Sequence, residues 1–222
     1  MHLRVEYRVG PDLKFLANLD MMHLMERALR RAEIPYALTD GFNPHIKLSM
    51  GTVLPVGVWG EKEYIDLELR QDMDQEEFKS RMNLVLPVGM SINNCVKIPI
   101  GTPSLMKIIA AADYCYVIQD GNMELHEKVK AILAEKHLTV PSRGKKKNVE
   151  KDLRPGLFAI ELINNKDTDI ISIRAAAGEP LNIRYDELLE LFARWGIPAE
   201  SIIDIYRSGN YVKTGDDFCS PL

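Results

Sequence analysis

Apolar and polar residues alternate at the start of the chain, Leu3, Val5 and Tyr7 against Arg4, Glu6 and Arg8. A period of two marks a half-buried strand. Gly10-Pro11-Asp12 reads as a turn. From Asn18 to Glu33 the apolar period lengthens to that of a helix, with Asn18 or Asp20 as its N-cap and Pro35 beyond its end. Residues 36–45 read as a loop and Ile46 to Met50 as a short strand. Glu63 to Arg70 is a strand with Tyr64, Ile65, Leu67 and Leu69 as its apolar members. Asp74 then caps a helix, with Glu77 as its capping-box partner and Phe78, Met82 and Val85 on its core side. Pro87 and Gly89 end that helix, and Ile92 to Ile98 forms another strand. The order β-α-β-β-α-β is the split arrangement of a ferredoxin-like module.

The second half follows the same order more loosely. Tyr114 to Ile118 is a strand, and Glu124 to Lys136 a helix with Leu125, Val129, Ile132 and Leu133 on one face. Leu157 to Ile163 and Ile170 to Ala175 form a hairpin around Asn164-Asn165-Lys166-Asp167. Tyr185 to Trp195 is an amphipathic helix carrying Leu188, Leu189 and Phe192, stopped by Gly196 and Pro198. Ser201 to Tyr206 is the last strand. The expected fold class is therefore α+β. It comprises two tandem ferredoxin-like modules, residues 1–100 and 104–213, with an inserted basic loop, residues 139–156, in the second. The boundary falls near Pro99-Ile100-Gly101-Thr102-Pro103.

Composition narrows the function classes. Of the 222 residues, 46% are hydrophobic and 27% charged, the balance of a chain with a sizeable core. No apolar run approaches the roughly 20 residues that cross a bilayer. The opening strand lacks the basic-then-apolar layout of a secretion signal. Three widely spaced cysteines, Cys95, Cys115 and Cys219, make neither a disulfide framework nor a metal knuckle. A cytoplasmic protein without a cofactor or metal is the expectation. Net charge is −4, so any polyanion site is a local patch on an acidic background. The P-loop, Rossmann, zinc-helix and Gly-x-Ser-x-Gly patterns are all absent.

One segment stands out. At about 100° per residue, Met21, Met25, Ala28, Leu29 and Ala32 share one side of the first helix. His23, Arg27, Arg30 and Arg31 share the other. Surface charge runs are common and Glu–Arg pairs at i,i+4 account for many of them. Arginine also offers a planar fork suited to phosphate or carboxylate. The next segment favours that second use. In Gly41-Phe42-Asn43-Pro44-His45, Gly41 permits a left-handed turn and Pro44 biases Asn43 to an extended shape. An aromatic, an amide and an imidazole are then displayed on a stiff loop, with Lys47 following. The bland alternative makes Phe42 a core plug. Trp59, on a second loop, is either exposed for stacking or buried.

A second basic cluster comprises Arg143, Lys145, Lys146, Lys147, Lys151 and Arg154. It is either a solvated hairpin or a set of phosphate-backbone contacts. His23 and His45 are the candidate catalytic pair for metal-independent RNA cleavage, though structural histidines are commoner. Asp66 and Glu68 share one face of their strand and read as solvent-facing.

The motifs Phe15-Leu16-Ala17-Asn18-Leu19-Asp20, Arg27-Ala28-Leu29-Arg30-Arg31-Ala32, Gly41-Phe42-Asn43-Pro44-His45, Leu54-Pro55-Val56-Gly57 and Glu63-Tyr64-Ile65-Asp66 occur together. So do Leu86-Pro87-Val88-Gly89, Lys145-Lys146-Lys147 and Asp152-Leu153-Arg154-Pro155. In this combination the chain resembles the radical SAM-associated (radical SAM-linked) family of uncharacterised bacterial proteins. It departs at Ala17-Asn18, where the family has a Ser-His pair, and at His23, where it has Arg. The resemblance implies a radical SAM protein as partner. The chain's own cysteines lack the close spacing of an iron–sulfur site. The expected function is a non-catalytic RNA-binding or substrate-presenting accessory to a radical SAM enzyme. A metal-independent RNA-processing or RNA-modifying enzyme and a protein-interaction adaptor are the alternatives.

Overall fold

The computed structural model describes residues 1–119, 123–143, 149–164 and 168–222. It is a mixed α/β structure of two compact units, Met1–Ile109 with Gly209–Leu222, and Ala110–Ser208. In chain order the strands and α-helices are β1 (His2–Val9), α1 (Asn18–Arg31), β2 (Leu48–Met50), β3 (Trp59–Glu68), α2 (Gln75–Asn83), β4 (Met90–Ile98) and α3 (Leu105–Ile108). There follow β5 (Ile109–Gln119), α4 (Met123–Ala134), β6 (Thr139–Pro141), β7 (Glu150–Asp152), β8 (Leu157–Asn164), β9 (Thr168–Ala176), α5 (Tyr185–Arg194), β10 (Ile202–Thr214) and β11 (Asp217–Cys219).

In the first unit β1 lies between β4 and β3, and β2 pairs with β3; all three pairings are antiparallel. The alternation of β1 sends Leu3, Val5, Tyr7 and Val9 into one core with Met21, Met25, Ala28 and Leu29 of α1 and Phe78 and Met82 of α2. Ile65, Leu67 and Ile92 complete its sheet side. The expected apolar face of α1 is thus the buried one. Its cap is not Asn18 or Asp20. Ala17 holds that position with an extended backbone and no side-chain bond. A good cap is worth about 1 kcal/mol, whereas each large apolar side chain buried contributes about 2 kcal/mol, so packing dominates here. In α2 the carboxylate of Asp74 accepts from the N–H groups of Glu76 and Glu77 at 3.0 Å. Glu77 itself turns to Arg81, 3.2 Å away.

Arg4 is buried within this unit. It meets Asp66 through two bonds of 2.8 and 2.9 Å and also donates to the carbonyls of Pro103 and Pro221. Asp66 and Glu68 are therefore engaged and not simply solvent-facing: Lys47 donates to Glu68 at 3.2 Å. The C-terminal segment belongs to this unit, with β11 paired to the end of β10.

In the second unit β9 pairs antiparallel with both β5 and β8. The expected hairpin is present, and residues 165–167 at its turn lie outside the described residues. Leu125, Val129 and Ile132 of α4 are buried, as are Leu188, Leu191 and Phe192 of α5, but Leu133 is 37% exposed. β6 and β7 form a separate short hairpin. It lies within the 139–156 insertion.

Candidate nucleic-acid interface

The site is built on α1 and the segment that follows it. His23, Arg27, Arg30 and Arg31 are all exposed. Arg30 stands 3.6 Å from Glu26 one turn back, the pairing that the i,i+4 spacing anticipates. Among the described residues Arg27 and Arg31 carry no ion-pair partner. Arg30 and Arg31 lie in the last turn, where positive charge complements the helix dipole by about 0.3–1 kcal/mol. That explains their presence in part, but not Arg27, which lies a turn further back.

The helix ends by local hydrogen bonding. The N–H of Ile34 reaches the carbonyl of Leu29 at 3.0 Å, and that of Glu33 the carbonyl of Arg30 at 3.1 Å. Glu33 takes the left-handed conformation with φ of 51°, which costs a side-chain-bearing residue about 1 kcal/mol. Arg81 of α2 offsets this by donating to the Glu33 carbonyl at 2.9 Å.

The chain then runs out and back as a narrow arm, where the sequence suggests a stiff loop. Tyr36 bridges to Leu69 of the first unit, and Leu38 to Ile46 across the arm. The N–H of Thr39 donates to the His45 carbonyl at 2.8 Å, and the N–H of His45 donates to Thr39 Oγ1 at 3.0 Å. Lys47 N–H closes the base on the Ala37 carbonyl at 2.9 Å. Ala37 and Ile46 are buried and anchor it. Beyond Thr39 and His45 lies the tip. Gly41 has φ of 118°, a conformation that side chains rarely adopt. Asn43, Pro44 and His45 are exposed. Phe42 is fully exposed, at 111% of its reference area, so it is not a core plug. Lys47 is tied to Glu68.

Trp59 is half-buried, with the guanidinium of Arg8 5.5 Å from its ring centre. Its face is occupied from within the chain. Among the described residues neither His23 nor His45 has a side-chain hydrogen bond or ion pair, and no group of three His, Cys, Asp or Glu residues is placed to hold a metal. An acid–base pair needs a base oriented by a third group. None is supplied to either imidazole there. The pocket beside the start of α1, between Leu13, Leu16, Met21 and Leu54, has about 10 Å³ of space, enough for about one water.

The second basic cluster is used differently. Arg143 donates to Glu190 at 2.8 Å, and Lys151 to Glu187 at 2.6 Å. Arg154 bonds the carbonyls of Leu157 and Leu133. Lys145, Lys146 and Lys147 lie outside the described residues. Across from it, His137 Nδ1 is 2.8 Å from Asp152. That bond, then the N–H groups of Leu138 and Arg154, hold the Asp152 carboxyl below the ordinary range.

Sequence reasoning missed a group of exposed apolar side chains in the first unit: Phe15, Leu19, Val56 and Val88, each at least half exposed. The repeated tetrapeptide Leu-Pro-Val-Gly was the available signal. Each copy forms the same turn, with glycine φ near 90° at Gly57 and Gly89 and a bond back to the carbonyl of Pro55 or Pro87. Both turns hold the segment before α1. Gly57 N–H donates to Lys14, and Gly89 accepts from Gly10 N–H, each at 2.7 Å.

Among solved structures, the chain is similar to one in the crystal structure of a Cbf5-Nop10-Gar1 complex. The TM-score is 0.54 at 12% identity, covering 94% of this chain and 48% of that one. A chain of an H/ACA RNP bound to a substrate RNA containing 2'-deoxyuridine gives a TM-score of 0.49 at 12% identity, covering 92% and 46%. The protein thus spans about half the length of these solved chains, and what it shares with the first is fold. No curated protein matches the sequence. No helix among the described residues is long and apolar enough to cross a membrane. Residues 2–184 match a bacterial family, and the chain belongs to it: the family described as "Uncharacterized protein conserved in bacteria (DUF2344)".

Proposed function

We propose that this protein is a non-catalytic, cytoplasmic accessory that binds RNA, or presents an RNA substrate, to a radical SAM enzyme. The observation that carries the RNA reading is the pair Arg27 and Arg31, unneutralised among the described residues, on the helix that leads directly into an exposed aromatic arm. Arginine without a carboxylate partner is free to contact phosphate. Elsewhere Arg4, Arg143, Lys151 and Arg174 are committed to Asp66, Glu190, Glu187 and Asp113. The radical SAM partner rests on the motif resemblance. We read both units as ferredoxin-like modules, for which the antiparallel pairings of β4, β1, β3 and β2, and of β5, β9 and β8, speak.

The test is RNA binding as a function of salt, with wild type and an R27Q/R31Q variant. Each lost phosphate contact should flatten the log–log salt slope by about 0.7 for single strands. Unchanged affinity and slope would refute the site. A second reading, a protein-interaction adaptor, is favoured by exposed Phe15, Leu19, Val56 and Val88. Affinity capture with and without nuclease separates the two. A protein partner that persists after nuclease with no RNA copurifying supports the adaptor, and copurifying RNA that is lost with nuclease supports the first reading.

A further inference from the structure

We propose that Phe42 is a stacking post that makes the arm selective for unpaired nucleotides, so that the RNA bound is single-stranded where it meets the protein. This rests on the RNA reading above. The ring is displayed by a built element. The Thr39–His45 bonds close the arm beneath the tip, Ala37 and Ile46 root it in the core, Gly41 takes a positive φ that other residues rarely adopt, and Pro44 restricts its own backbone and that of Asn43. A phenylalanine held in water on such a support gains by covering its faces, and an aromatic ring buries 150–250 Å² when it does so. Phe78 and Phe192, by contrast, are fully buried, the latter edge-on against Tyr116, while Phe15 is also exposed and has the Lys14 ammonium 5.9 Å from its ring centre.

What can cover Phe42 depends on the form of the RNA. In a duplex each base face is already stacked on its neighbours, and the readable groove of A-form RNA offers hydroxyls and edges, not π-faces. An unpaired base offers a face to any aromatic ring, whatever its sequence. Beside the ring, Asn43 carries both a donor and an acceptor for a base edge, and His45 is exposed one residue beyond Pro44. Arg27 and Arg31 supply phosphate contacts without choosing between single and double strands. A net charge of −4 gives the chain as a whole no preference between the two forms, so the choice falls to the arm.

The experiment compares a fluorescent single-stranded RNA of mixed sequence with the same strand annealed to its complement. Wild type, F42A, F42W and R27Q/R31Q are titrated against both. Wild type should prefer the single strand. F42A should bind it about tenfold more weakly or worse with little change toward the duplex. F42W should keep the preference, and its added emission should be quenched by the single strand. Because Phe42 is fully exposed, F42A should keep the wild-type Tm. If F42A matches wild type on both RNAs while R27Q/R31Q still loses affinity, the stacking post is overturned and the RNA reading stands. If wild type binds neither RNA, both fall.

Discussion

The ammonium of Lys151 lies 2.6 Å from the carboxylate of Glu187, a side chain with no exposed surface. The same carboxylate accepts the N–H of Arg143 at 3.1 Å and that of Arg184 at 3.0 Å. It therefore ties the start of α5 to the β6–β7 hairpin. A buried carboxylate is tolerated only when paired and hydrogen-bonded. In K151M the charge stays buried and its counterion is gone, and the expected loss of stability is about 3 kcal/mol. Urea unfolding reads it as a lower midpoint. K151M/E187Q should recover much of the loss, because both charges then leave together. A K151M midpoint equal to wild type would mean that the pair contributes nothing.

The cysteines should divide by reactivity. Burial above all, with Glu76 adding, pushes the Cys95 thiol up to about 11, and thiolate is the reactive form. Cys115 is buried, its sulfur 3.8 and 3.7 Å from the hydroxyls of Ser172 and Ser208, while Cys219 is exposed. A thiol-exchange reagent at pH 8 should label Cys219 quickly and the other two only after denaturation. Rapid labelling of Cys95 would contradict its placement in the core. The raised thiol also bears on stability. It favours the folded state fully below the unfolded value, about pH 8.5, and this contribution falls as pH rises toward 11. C95A should flatten that alkaline decline. Tyr64 and Tyr116, both raised chiefly by burial, add to it from pH 10 upward.

Glu26 competes for Arg30 at 3.6 Å. If the polar face of α1 binds phosphate, removing that competitor should strengthen binding. Exposed pairs of this kind are worth a few tenths of a kcal/mol, so E26Q should raise RNA affinity about twofold at low salt. The gain should shrink as salt screens the contact. An E26Q protein that binds RNA more weakly would show that Glu26 itself helps to form the surface.

The two faces of α1 are legible in the amino-acid sequence, because they depend on spacing within one helix. Met21, Met25, Ala28 and Leu29 lie inside and Arg27, Arg30 and Arg31 outside. The Asp74 cap is legible for the same reason: its bonds run two and three residues along the chain. The cap of α1 is not. An asparagine and an aspartate stand nearby and point to the wrong residues, while the helix draws its stability from packing and starts at a position without a capping side chain.

Partners far apart in the chain are not legible either. Nothing local marks Glu187 as the counterion of Lys151, Glu68 as that of Lys47, or Arg8 as the cover of Trp59. Each of those cations has the same local appearance as Arg27. Only the fold sorts them, since a charge is committed or available according to what the packing of distant segments brings within about 4 Å.

The GFNPH segment shows the division in one place. The turn there is legible locally, because Gly41 opens the left-handed conformation and Pro44 restricts its own backbone and that of Asn43. The sequence left open whether Phe42 filled the core or faced water. That was decided by the tertiary structure, in which Ala37 and Ile46 take the anchoring places and the Thr39–His45 closure leaves the ring outside. Burial is settled by which side chains pack against the rest of the unit, and that depends on contacts with distant segments that no short stretch of sequence contains.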